Sequence, residues 1–480
     1  MPIPLLAALL IPLAVAPPLA TDAAAHYTLR YDAGTETMAV RICVPGAAPR
    51  LHFSADDGAE RYVDAFARDN GPAPVRDADG WYAADWHAGE CLAYRAALGR
   101  VADSGKRGDG ARHGDTLVFD PAVWLLTVDS ADPATPADVR VDLPAGYSLS
   151  TPWHPLPPDG DTRRFAMPQT PDDWLARIAI GRFIEAPVAL PGGTLRVATV
   201  DGADAAAKLK LDTWLAKVSH AAVSAYGRLP LADVQVLVVP IGASRDSHAD
   251  SREPVEFGQS TRGQGSGLTL FVDPTQSAAT FDHDWVAVHE LSHLFHPYLG
   301  ERGSWLGEGL ATYYQNVLRA RAGLLTPEQA WEQIDAGFAR GRSTTQANDV
   351  TLEKASQAEG GRTNFMRTYW SGTAYWLETD LALRRTSGNR LSVDEALRRF
   401  DACCLPSYHA WSPDDFVAKL DELLGTEVFR QRFAGFRTRR DFPDLKPTYA
   451  DLGIRSDGNS LRFVDAAPAA DVRRAIMSAR

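Results

Sequence analysis

The run His289-Glu290-Leu291-Ser292-His293, followed downstream by Trp305-Leu306-Gly307-Glu308-Gly309, holds the residues of this 480-residue chain whose types and spacing can do chemistry. Histidines four apart on a helix point from one face, so both imidazoles can reach a single tetrahedral ion. Glu290 follows the first histidine by one position, about 100° further round the helix. There its carboxylate leans over the open side of the ion and can take a proton from water, which is the place of a general base. Catalytic zinc keeps three protein ligands and one exchangeable position, and Glu308 is the candidate third ligand. Fourteen residues separate it from His293, among them Pro297, Gly300 and Gly303, which suit a turn between two helices. The competing reading of Glu308 is a carboxylate that complements a helix N-terminus, and the competing reading of the whole run is a chance match. An N/N/O donor set favours zinc, so the expectation is one Zn2+ on His289, His293 and Glu308, with Glu290 as base.

These ligands need a buried helix to hold them. Trp285, Val286, Val288, Leu291, Leu294 and Phe295 alternate with the histidines at near-helical spacing, and Pro297 stops the run. A second helix is expected from Trp305 to Arg319, with Thr312 one turn after Glu308 and placed to hydrogen-bond a ligand. His283 and His296 break the metal-binding spacing and read as structural or supporting residues, and Asp284 as a charge at the helix start. Upstream, Ala203 to Tyr226 reads as a long amphipathic helix, Val234 to Val239 as a buried strand, and Leu268 to Val272 as an edge strand. Downstream, Thr326-Pro-Glu-Gln329, Ser392-Val-Asp-Glu395 and Ser412-Pro-Asp-Asp415 read as capped helix starts, which predicts an α-helical second half.

These residues resemble the gluzincin metallopeptidases, in particular the glycyl aminopeptidase family and, more distantly, the aminopeptidase N and leukotriene A4 hydrolase family. Three pieces carry the resemblance. Trp285-Val-Ala-Val-His289-Glu-Leu-Ser-His293 is the first, and Trp305-Leu-Gly-Glu308-Gly309-Leu-Ala-Thr-Tyr-Tyr314, similar to a W-x-x-E-G-x-A-x-Y ligand helix, is the second. The third, Tyr369-Trp370-Ser371-Gly372, is similar to a Y-x-K-G helix with Ser371 in place of the lysine. The resemblance implies that Tyr369 stabilises the oxyanion, which a phenol of reference pKa about 10 suits; the alternative is an aromatic core stripe shared with Trp370. It also departs from the family. The spacing from His293 to Glu308 is shorter than in the aminopeptidase pattern. The stretch taken as the substrate-binding strand, Gly263 to Phe271, lacks the glutamate that pairs with a free amine, and Glu253 and Glu256 read as solvated loop acids. The implied fold is α+β and thermolysin-like in the catalytic part. The implied activity is hydrolysis of peptide bonds by metal-activated water, aminopeptidase-like. A secreted endopeptidase of the same mechanism and a catalytically idle zinc-containing peptide-binding protein are the alternatives, and the intact Glu290 argues against the last.

An apolar fraction of 45% and a charged fraction of 23% over 480 residues allow two or three domains with sizeable cores. The net charge of −12 carries no basic footprint for nucleic acid, and the expected partner is a peptide or protein substrate. Oligomeric state stays open. The expected organisation is multidomain: a signal peptide over 1–25, an all-β accessory domain over 26–193, a gluzincin catalytic domain over 194–440, and a C-terminal extension over 441–480 without the full peptide-binding domain usual in glycyl aminopeptidases. The apolar stretch Pro2 to Ala20, followed by Ala23-Ala24-Ala25, fits an export signal, and no later stretch approaches the roughly 20 apolar residues of a membrane span. The expected location is therefore periplasmic or extracellular. In such a chain Cys43 and Cys91, both in strand-like runs, are expected to form a disulfide, while the adjacent Cys403 and Cys404 either form a vicinal disulfide or stay reduced.

Overall fold

The computed structural model describes residues 25–480 apart from 107, 129–134, 242–252, 347–349, 458, 459, 467 and 480. All of the expected signal segment except Ala25 lies outside the described residues. The chain is multidomain, with an N-terminal β-rich part and a C-terminal helical part. Strict alternation of buried and exposed positions in His26–Asp32 and Thr37–Cys43 gives each strand one apolar face. These strands sit centrally in a seven-stranded sheet that also contains Cys91–Ala97 and Ala137–Asp142. Two four-stranded sheets pack with it around Phe53, Trp124 and Trp153. Cys43 and Cys91 face each other across neighbouring antiparallel strands and are joined by a disulfide, as the sequence led us to expect. Cys403 and Cys404 are also bonded to each other.

The second part opens on a five-stranded mixed sheet in the order Glu185–Leu190, Gly193–Thr199, Asp233–Pro240, Gly267–Val272, Val255–Thr261. Glu185–Leu190 lies before the boundary expected at 193, yet it pairs with Gly193–Thr199 in this sheet. Helix Ala205–Val223, capped by the Asp204 carboxylate accepting from the Ala207 N–H, makes the crossover between two parallel strands. The expected edge strand is corrected here. Leu268–Val272 is interior, flanked on both sides by partners, and the edge is Val255–Thr261, which pairs antiparallel with it. Glu256 accordingly stands on a strand rather than in a loop.

Helices follow. The metal-binding run forms Val286–Ser292 and continues as a 3-10 turn to Phe295. Ser304–Arg321 and Ala358–Ser387 then lie against each other so closely that a Cβ on Gly309 would overlap the Gly372 backbone. A buried polar network reinforces this pair: the Tyr313 hydroxyl and Arg384 guanidinium both donate to Asp380, at 2.9 Å each. Arg321, Arg384 and Tyr314 converge on Asp394. Each charge is paired and each carboxylate is hydrogen-bonded, which is what a buried network requires. Thr326, Ser392 and Ser412 cap their helices, the first in a full capping box. The segment after 440 adds two short helices and a hairpin whose Leu452, Ile454 and Ile476 join the main core. Among the described residues no helix is long and apolar enough to cross a membrane.

Candidate active site

Three elements meet at one cleft of about 450 Å³: the edge strand Val255–Thr261, the metal-binding helix and the helix Ser304–Arg321, with Tyr369 closing the far side. The strand approaches the metal-binding helix as closely as it does because Gly258 has no side chain; a Cβ there would lie 2.6 Å from both Glu290 Cγ and Val286 Cγ1.

His289, His293 and Glu308 each offer a donor atom within 4.8 Å of the others. His289 Nε2 is 3.2 Å and His293 Nε2 3.5 Å from the same oxygen, Glu308 Oε2. The opposite ring nitrogens are both engaged. His289 Nδ1 lies 2.9 Å from Gln315 Oε1, an acceptor, so Nδ1 carries the proton and the Nε2 lone pair is left for an ion. His293 Nδ1 lies 3.1 Å from His296 Nε2, and His296 Nδ1 donates to the Pro297 carbonyl at 2.7 Å. Burial, together with the Arg262 charge and the His293 ring, holds the His296 imidazole well below its ordinary pKa, so it is neutral and accepts from His293. Both ligand histidines are thus set in the tautomer that presents Nε2. Burial alone would raise the Glu308 carboxyl, but charge on and hydrogen bonds from the His293 and His289 imidazoles hold it well below the usual range, so it is an anionic carboxylate able to serve as a ligand. This donor set fits a zinc ion.

Glu290 lines the same cleft and is nearly buried. The neighbouring aromatic residues part company: Trp370 turns into the core against Phe338, whereas Tyr369 faces the cleft and stacks on His289 at 5.7 Å and 5°. Burial, the Glu308 charge and a hydrogen bond to Glu308 raise the Tyr369 phenol, which keeps its proton at neutral pH.

The structure brings His289, Glu290, His293, Glu308 and Tyr369 together and corrects others. Thr312 makes no bond to a ligand, its hydroxyl being buried without a partner. Gln315, unremarked in the sequence, takes that place; it stands seven residues after Glu308, two turns on along the same face. His283 bonds the Ala279 carbonyl, away from the cleft, and Asp284 accepts from the Ala287 N–H at the start of the metal-binding helix. Glu253 and Glu256 are exposed and do not line the cleft. Among the described residues the walls carry one carboxylate besides Glu290 and Glu308, Glu301, which is exposed on the turn before the ligand helix.

Residues 294–380, which hold Glu308, Gln315 and Tyr369, match the M61 glycyl aminopeptidase family. The match begins one residue after His293, so of the three candidate metal ligands it takes in Glu308 alone. A metallopeptidase is the class of enzyme that this match and the His289, His293 and Glu308 donor set support. Among solved structures the chain is similar in fold to an aminopeptidase N family protein from Idiomarina loihiensis, at 13% identity and a TM-score of 0.65, covering 91% of this chain and 80% of that one. It is also similar to an M1 zinc metallopeptidase from Deinococcus radiodurans, at 16% identity and a TM-score of 0.53, covering 88% and 95%. A variant of that metallopeptidase bound to a Tyr-Ser-Ala substrate matches at 16% identity and a TM-score of 0.52, covering 88% and 96%. No curated protein matches the sequence.

Proposed function

We propose that this chain hydrolyses peptide bonds as an exported, aminopeptidase-like zinc enzyme, with His289, His293 and Glu308 holding one Zn2+ in a thermolysin-like catalytic domain. The observation that carries the reading is the pair of tautomer-fixing hydrogen bonds, from His289 to Gln315 and from His293 to His296, which leave both Nε2 atoms facing Glu308. When bound, zinc supplies Lewis acidity to water and to the scissile carbonyl. The outer edge of Val255–Thr261 is unpaired among the described residues and offers an extended peptide main-chain hydrogen bonds. Glu290 takes a proton from the attacking water and delivers it to the departing amine. The protonated Tyr369 hydroxyl donates to the oxygen on which negative charge develops. The division into a β-rich accessory domain, a catalytic domain that opens with the strand Glu185–Leu190 and an extension over 441–480 belongs to the same proposal.

An endopeptidase is the second reading, and one observation favours it: the edge strand presents no carboxylate to the cleft that would hold a free amine. Mass spectrometry of a mixed peptide library digested by the purified protein, with Glu290→Gln as control, separates the two. Stepwise loss from N-termini supports the aminopeptidase, internal cuts the endopeptidase, and identical digests from both samples would overturn hydrolysis altogether.

A further inference from the structure

The cleft holds a cation that the proposed mechanism leaves unused. Arg262 follows the edge strand directly and lines the cleft beside Glu290, His293 and Glu308. Its Nη2 donates to the carbonyls of His293 and His296, at 2.8 and 3.4 Å, which seats the guanidinium at the C-terminal end of the metal-binding helix. Among the described residues no carboxylate lies within 4.0 Å of it, and neither Nε nor Nη1 bonds to protein. Capping two carbonyls needs a neutral amide and no charge, whereas a guanidinium that feels Glu308 and Glu290 only beyond contact distance gives up solvation in this cleft without a direct ion pair. An arginine guanidinium keeps its proton at neutral pH, so the residue is a cation.

The surroundings hold this cation in place. The turn that follows it is pinned by the N-terminal part of the chain: Gly263 N–H donates to the Leu175 carbonyl at 2.9 Å. Gln264 N–H donates to Thr170 Oγ1, and Trp153 Nε1–H to Gln264 Oε1, both at 2.9 Å. A guanidinium set this way loses little freedom on binding an anion. It also repels an ammonium group, which agrees with the missing amine-binding acid on the strand.

Building on the peptidase reading, we propose that Arg262 is the specificity-determining anchor for a carboxylate of the substrate, on an acidic side chain beside the scissile bond or at the peptide C-terminus. Arginine's planar fork suits bidentate carboxylate recognition. The test is calorimetry on zinc-loaded Glu290→Gln protein, with and without Arg262→Gln, which keeps an amide donor for the two carbonyls. The probes are N-acetylated peptides in matched pairs: Asp or Glu against Asn or Gln, and free C-terminal acid against amide. The carboxylate member is expected to bind about ten- to a hundredfold tighter, with the advantage lost in Arg262→Gln and the uncharged members unchanged. A gain confined to the side-chain pairs identifies an acidic residue, and one confined to the terminal pairs identifies the C-terminus. Equal affinities within every pair, or a preference that survives Arg262→Gln, would overturn the assignment. Binding is read without turnover, so an intact protein that cleaves no peptide would fail the hydrolysis reading and leave this result standing.

Discussion

Replacing Gly372 with alanine tests whether the contact between two helices is what delivers Tyr369 to the site. A Cβ at this position would lie 2.7 Å from Gly309 Cα and would overlap the Trp305 carbonyl oxygen. Reaching an ordinary carbon contact of about 3.5 Å requires the helices to separate by about 1 Å. Tyr369 stands one turn earlier on the same helix, and its ring is stacked on His289, so the separation carries the hydroxyl away from the cleft. A displacement of about 1 Å costs on the order of a hundredfold in rate, and overpacking a core of this kind costs about 1–3 kcal/mol of stability. The assay is kcat/KM on a peptide taken from the library digest, with zinc content and a thermal melt on the same sample. The expected result is a hundredfold loss carried by kcat, a lowered melting temperature and retained zinc. Gly435→Ala is the control. A Cβ there meets nothing within 4 Å inside the helix Val428–Arg437, so activity should stay constant and stability rise by up to about 1 kcal/mol. A Gly372→Ala enzyme with wild-type kcat/KM would refute the argument that this contact positions Tyr369.

Glu290→Gln should keep its zinc and lose at least about a hundredfold in hydrolysis, whereas His293→Ala should lose the metal; equal zinc by elemental analysis in His293→Ala and wild type would contradict the ligand assignment. Gln315→Leu removes the acceptor that fixes the His289 tautomer, so zinc affinity measured by chelator competition should fall about ten- to a hundredfold, and an unchanged affinity would remove Gln315 from the site. In the β-rich part, Glu90 is fully enclosed and takes two hydrogen bonds from Arg68, at 2.8 and 3.0 Å, which with backbone donors hold its carboxyl down to about 2 from an ordinary 4.5. Because the folded value is the lower one, the pair's stabilisation is complete above about pH 4.5 and is lost as pH falls toward 2. Urea midpoints across pH 5 to 3 should therefore drop more steeply in wild type than in Glu90→Gln, and parallel slopes would count against the assignment.

What the sequence revealed of the site was local, and what it hid depended on which elements become neighbours. Histidines four apart, a glutamate in the next helix and capped starts at Thr326, Ser392 and Ser412 are each settled within a turn or two of chain. Strand order is not. Leu268-Thr-Leu-Phe-Val272 is buried almost throughout, and a run apolar but for Thr269 is the mark of an interior strand. Its nearness in sequence to the metal helix is what suggests an edge, and nearness in sequence does not set strand order. The true edge, Val255–Thr261, is exposed or half-buried over most of its length, as a strand with one open side should be. Thr312 and Gln315 both lie within two turns of Glu308, and side-chain reach separates them: the hydroxyl stays unpartnered while the longer amide meets His289. Gly309 and Gly372 were visible as motif letters, but their packing role exists only once two helices 63 positions apart are brought into contact.

The β-rich part contributes to the cleft as well as to the mass of the chain. Arg262 and the end of the edge strand are followed by a turn whose bonds go to Thr170 and Leu175 and to the Trp153 indole. Gly265 in that turn, at φ +143, passes so close to the Pro152 carbonyl that no side chain would fit. Trp174 meets Tyr298, itself a cleft wall, edge-on at 5.3 Å. One wall of the site is therefore set by residues over a hundred positions before the metal ligands. The opposite wall, bearing Glu308 and Tyr369, is set by the contact between their two helices. The helical part alone supplies the metal ligands and the base, but the position of the edge strand relative to them, and with it the line along which a peptide can extend, depends on both parts of the chain.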